Sequence, residues 1–170
     1  MRRAVVVATT LAAVVLAVGA CSSAGPGKPS SASGAAAGRL RIATTVAPIT
    51  SIVASIAGDR ADITGIVPEG TDSHTFEPRP SVAELLSSVE VVYLNGLGLE
   101  EPTRALAEAN VGADTEIVEL GTLAIAEEDY LYDASFPEAA GKPNPHLWTD
   151  PPYARRYAEI VAADLAERDP

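Results

Sequence analysis

The sequence predicts an α/β fold, a parallel four-stranded sheet flanked by helices. Two observations carry the prediction. Four short β-rich runs after Arg39 alternate with segments that show helical periodicity or helix-start signals, the signature of βαβ units. The stretch that holds them, residues 39–170, has the size of one ordinary domain with a real core.

Leu40-Arg-Ile-Ala-Thr-Thr45 is the first strand. Pro48 opens a helix in which Ile49, Ile52, Val53 and Ile56 share one face, and Gly58 closes it. Asp62-Ile-Thr-Gly-Ile-Val67 is the second strand, followed by a loop to Pro80. Ser81 with Glu84 three residues on is a capping-box pattern, which predicts a helix over Val82 to Ser88. Val91-Val-Tyr-Leu94 is the third strand and runs into the turn Asn95-Gly-Leu-Gly98. Pro102 suits the first turn of a helix reaching about Ala109, and Glu116 to Leu120 is the fourth strand. A long loop follows. Asp150 then caps a last helix starting at Pro151 or Pro152, with Tyr153, Tyr157, Ile160, Val161 and Leu165 as its apolar stripe.

In such a sheet every strand ends on one edge, and ligands bind outside those carboxyl ends. The chain has two histidines, each in a proline-framed loop: Thr71-Asp-Ser-His74-Thr-Phe-Glu-Pro78 and Asn144-Pro-His146-Leu-Trp-Thr-Asp-Pro151. His74 follows the second strand and His146 lies in the loop after the fourth, so both rings belong to the ligand edge although 72 positions separate them. Imidazole is a favoured ligand for transition metals, and His74 and His146 are the candidate pair. Asp72, Glu77 and Asp150 lie close by in sequence, but as turn former, solvated acid and helix cap they stay outside the ligand set. Phe76 and Trp148 are expected to pack beneath the two loops. Glu127, Glu128, Asp129, Asp133 and Glu138, in Ala126 to Gly141, are expected to solvate a mobile loop.

The N-terminus gives a location. Met1-Arg2-Arg3 is a positive n-region, and Ala4 to Ala20 is apolar apart from two threonines. Val18-Gly19-Ala20-Cys21 resembles the bacterial lipobox, which implies cleavage before Cys21 and lipidation of its thiol. Two acyl chains suffice for stable anchoring. Residues 22–38 are almost wholly Ser, Ala, Gly and Pro and read as a flexible tether. The protein is thus expected to be extracytoplasmic and held to the cell membrane by lipid. Losing residues 1–20 removes Arg2 and Arg3 and no acid, which takes the formal charge from −11 to −13. A chain this acidic is a poor partner for nucleic acid or for an anionic lipid surface.

The folded part resembles the substrate-binding lipoproteins of bacterial zinc and manganese ABC transporters. The resemblance rests on Ile42-Ala-Thr-Thr-Val-Ala-Pro48, Ala57-Gly-Asp59, Ile66-Val-Pro68, His74-Thr-Phe-Glu-Pro78, Asn95-Gly-Leu-Gly-Leu-Glu100 and Pro145-His-Leu-Trp-Thr-Asp-Pro151. It implies one lobe of a two-lobed metal-receptor fold, with His74 and His146 as the first two ligands of a Zn or Mn ion. Implied as well are a membrane permease as partner and action as a monomer. In the family each lobe gives two ligands, and the joining helix would start about where Ala166-Glu-Arg-Asp-Pro170 stands, so the C-terminal lobe is expected to be absent here. Ser73 stands where the family often has proline. The acidic loop lacks the histidine-rich insert of many zinc receptors, which tilts the reading toward a manganese-type or insert-free zinc receptor.

Other functions stay open at this point. A metalloenzyme needs a general base beside an open coordination position, and the chain has no H-E-x-x-H, no G-x-S-x-G and no phosphate-binding glycine loop. An adhesin-like or structural lipoprotein with incidental histidines is the alternative to a receptor. A truncated receptor fragment without function is another.

Overall fold

The computed structural model describes residues 38–170. The expected signal segment, Cys21 and all but the last residue of the tether lie outside the described residues.

Four parallel strands form one sheet in the order β2-β1-β3-β4: β1 Leu40–Thr44, β2 Ala61–Gly65, β3 Val91–Leu94 and β4 Glu116–Glu119. Residue pairs Ile42 with Ile63, Ala43 with Val92, and Tyr93 with Val118 set the register. The chain runs outward from β1 to β2, then returns to lay β3 on the other side of β1. The boundary between β1 and β3 is therefore the topological switch point of the sheet.

Alternation along the two central strands builds a core on each face. Ile42, Val91 and Tyr93 join Ile49 and Val53 of α1 (Ala47–Ala57) and Tyr157 and Val161 of α5 (Pro151–Arg168) on one face. Ala43, Val92 and Leu94 meet Leu86 of α2 (Ser81–Leu86) and Ala107 of α3 (Glu101–Asn110) on the other. The stripes read for α1 and α5 are the ones that pack. α5 is also tied to the sheet through polar groups: the Tyr93 hydroxyl donates to Asp164, and Arg168 links Asp164 to Glu116 of β4 at 2.6–2.8 Å.

Three details differ from the sequence reading. Ser81 is the first helical residue of α2 and caps nothing, because Pro80 already has helical backbone angles and the carbonyls of Arg79 and Pro80 take the N–H groups of Val82 and Ala83. Asp150 is the N-cap of α5, but its side chain makes no capping bond. Pro151 and Pro152 carry no N–H, so the first donors are Tyr153 and Ala154, and both bond the Asp150 carbonyl at 3.0 Å. A short helix, α4 (Leu120–Ala124), follows β4 directly where a loop was expected. Five residues carry little helical signal of their own. Tertiary contacts hold α4: the Gly121 N–H donates to the Asn95 carbonyl at 2.7 Å, and the helix packs on α5.

At the switch point, just past the ends of β1 and β3, lies a buried polar cluster. Glu100, 2 % exposed, accepts hydrogen bonds on Oε1 from the Thr45 hydroxyl at 2.7 Å and the Asn95 N–H at 2.6 Å. Its Oε2 has no partner among the described residues, and burial pushes its carboxyl above the ordinary 4.5.

A Cβ on Gly121 would sit 2.7 Å from the Asn95 carbonyl oxygen and 2.9 Å from the Tyr157 hydroxyl, so Gly121→Ala should lower stability by about 1–3 kcal/mol in urea denaturation. Because the folded pKa of Glu100 is raised, its contribution is fully present below 4.5 and is lost as pH rises through the folded value. Glu100→Gln, which cannot ionise, should gain on the wild type steadily as pH rises from 4.5; parallel stability–pH curves would refute this.

Candidate metal centre

Both histidines stand at the carboxyl edge of the sheet, and each is set by the same local device. The His74 N–H donates to Asp72 Oδ1 at 3.0 Å, and the His146 N–H donates to Asn144 Oδ1 at 2.9 Å. In both loops the side chain two residues earlier closes an Asx turn that aims the imidazole. Asp72 is thus a turn former, as the sequence suggested. The His146 loop is anchored from below, because Asn95 Nδ2 donates to the Pro145 carbonyl at 2.9 Å.

The two rings meet. Nε2 of His74 and Nε2 of His146 lie 3.2 Å apart, with ring centroids at 5.2 Å. Two nitrogens bound at the usual 2.0–2.1 Å to one tetrahedral ion stand about 3.3 Å from each other, so this spacing fits a pair of adjacent ligands. His146 Nδ1 lies 2.9 Å from Asn144 Oδ1, an acceptor, so Nδ1 carries the proton and Nε2 keeps a lone pair. The His146 Nε2 lone pair faces His74 Nε2 across this 3.2 Å gap. Burial is the main cause that pushes the His146 pKa below 6.5; nearby His74 adds to it and Asp133 opposes it. Among the described residues no group of three or more His, Cys, Asp or Glu side chains is arranged to hold a metal ion. The described donors therefore amount to a pair.

Aromatic rings pack against the imidazoles, although His74 stays exposed. Trp148 meets His146 edge-on at 5.2 Å and 70°, so it lies beside the ring it was expected to support. Phe76 is partly buried and packs against the core on both faces. Phe136 was not singled out in the sequence, yet it stacks on His74 at 5.9 Å and 29° and tilts against His146 at 5.5 Å. Phe136 belongs to the acidic loop expected merely to be solvated. That expectation fails for Asp133, whose carboxylate accepts from the N–H groups of Ser135 at 2.7 Å and Phe136 at 3.0 Å and from Asn144 Nδ2 at 2.6 Å. The backbone bonds from Phe136 and Ser135 hold its carboxyl below the usual range. The available signal was Asp133 followed two and three residues on by Ser135 and Phe136, an Asx-turn pattern that a run of acids obscures.

Residues 42–170 match the family described as zinc-uptake complex component A, periplasmic. The manganese-binding lipoprotein MntA of Halalkalibacterium halodurans is 36% identical over 135 residues, 77% of this chain and 40% of that protein. The manganese ABC transporter substrate-binding lipoprotein PsaA of Streptococcus anginosus is 32% identical over 157 residues, 92% of this chain and 48% of that one. The chain spans less than half the length of these curated relatives. The crystal structure of ZnuA aligns with a TM-score of 0.66 and 28% identity over 78% of this chain and 48% of that one. The periplasmic zinc binding protein TroA from Treponema pallidum aligns at 0.68 with 21% identity, covering 78% and 46%, a likeness of fold alone. The parallel four-stranded sheet with flanking helices agrees with these receptor structures.

Trp148 is the only tryptophan and touches His146. A protonated imidazole beside an indole quenches its emission, so acidifying the metal-free protein should dim Trp148 with a midpoint below 6.5. A midpoint above 6.5 would contradict the burial of this ring.

Proposed function

The chain belongs to the family of zinc-uptake complex component A, periplasmic, and on that premise we propose that it captures a divalent transition metal outside the cytoplasm for uptake by an ABC-transporter permease. The metal is the cargo, zinc or manganese, and His74 and His146 are its ligands. What supports this reading most is the 3.2 Å approach of the two Nε2 atoms, which suits neighbouring ligands of one ion. Binding is reversible coordination by neutral imidazoles and involves no catalytic step. Protons compete for the same lone pairs, so acid releases the ion.

The names of relatives point to both manganese and zinc uptake. Two imidazoles do not choose between these ions, because the remaining donors decide between a four-donor zinc site and an oxygen-rich manganese site. Residues 39–170 act as the N-terminal metal-binding lobe, in which the sheet edge presents the pair and aromatic rings pack beside it. Residues 1–20 serve as a signal peptide, Cys21 as the lipid attachment site and the following residues as the tether. The lobe acts as a monomer, since a single carboxyl edge supplies both rings.

The test is a calorimetric titration of Zn²⁺ and Mn²⁺ into the chain, beside the His74→Ala/His146→Ala double variant. A binding heat in the wild type that vanishes in the double variant is expected. Equal heats from the two proteins would remove the histidines from the site and leave an adhesin-like or structural role in its place.

A further inference from the structure

We propose that Asp133, on the loop after α4, is a positioning residue for His146: it locks the Asn144 amide so that His146 offers the Nε2 lone pair. The consequence for metal capture rests on the receptor reading above, whereas the effect on the tautomer does not.

An amide side chain has an accepting end and a donating end, and a flip exchanges them. Here both ends are assigned by groups that have no choice. The Asp133 carboxylate only accepts, and its Oδ2 takes Asn144 Nδ2–H at 2.6 Å. The His146 backbone N–H only donates, and it faces Asn144 Oδ1 at 2.9 Å. The same Oδ1 therefore meets His146 Nδ1, at 2.9 Å, and fixes the proton there. With the amide reversed, an N–H would face Nδ1, the proton would move to His146 Nε2, and that nitrogen would have no lone pair left to offer an ion. Asp133 is itself held: Ser135 and Phe136 donate backbone N–H groups to Oδ1, and its own N–H bonds the Phe136 carbonyl at 3.0 Å. A second tie, from the Asn144 N–H to the Leu131 carbonyl at 2.7 Å, keeps the two segments in register. Outer groups of this kind orient ligating histidines and set their tautomer.

The test uses the full chain labelled with ¹⁵N. Long-range ¹H–¹⁵N correlations in the metal-free protein read the tautomer of His146, with His74→Ala assigning the two rings. Wild type should show the proton on Nδ1. Asp133→Ala should populate the Nε2–H form and weaken Zn²⁺ binding about tenfold. The decisive variant is Asp133→Ala/Asn144→Asp. A carboxylate at position 144 has no donating end to flip, so the Nδ1–H form and the Zn²⁺ affinity should return without Asp133. An unchanged tautomer in Asp133→Ala overturns the proposal. So does a shifted tautomer that Asn144→Asp fails to restore, because the loss would then come from the loop's own turn. If the tautomers behave as expected and even the wild type ignores Zn²⁺, the positioning role stands and the receptor reading falls.

Discussion

A buried asparagine at the end of β3 has to satisfy its whole hydrogen-bonding capacity without water, and much of the described structure is arranged around the way it does so. Asn95 is fully buried. Its Oδ1 accepts from the Tyr157 hydroxyl of α5 at 2.8 Å, and its Nδ2 donates to the carbonyls of Pro145 and Gly96. Its backbone N–H goes to Glu100, and its carbonyl takes the Gly121 N–H of α4. One residue thus joins the last helix, the short helix, the β3–α3 turn and the loop that carries His146. An unpaired polar group at this depth costs on the order of 1–3 kcal/mol, so these elements are held together as a set.

Glu100 is the costly member of that set. It places a carboxyl where one oxygen has two donors and the other none, and burial then favours the protonated form. Its two bonds tie the chain just past β1 to the chain just past β3, and the turn at Gly96, Leu97 and Gly98, all with positive φ, lets the chain double back to reach them.

Above that floor the site is built from loops, each braced by short polar side chains. Asx turns at Asp72 and Asn144 aim the two rings, and Asp133 ties a third segment to the second of them. Phe136 packs against both imidazoles from the same segment. The sheet edge sets where the rings stand, and the bonds around Asn144 set which nitrogen His146 presents.

The sequence alone determined the parallel α/β class, the faces of α1 and α5 and the edge on which the histidines lie. Periodicity and the alternation of strands and helices are local properties that survive without knowledge of contacts. It also singled out His74 and His146, because two histidines in two framed loops stand apart from the rest of the chain. It missed α4, the idle caps at Ser81 and Asp150, and the parts played by Asp133 and Phe136. Only the tertiary structure decided these. A five-residue helix exists through the bond it makes to Asn95, and a cap is idle when prolines or a preceding turn leave it no donor. An acid in a run of acids gains its partner only when two segments eleven residues apart are folded against each other.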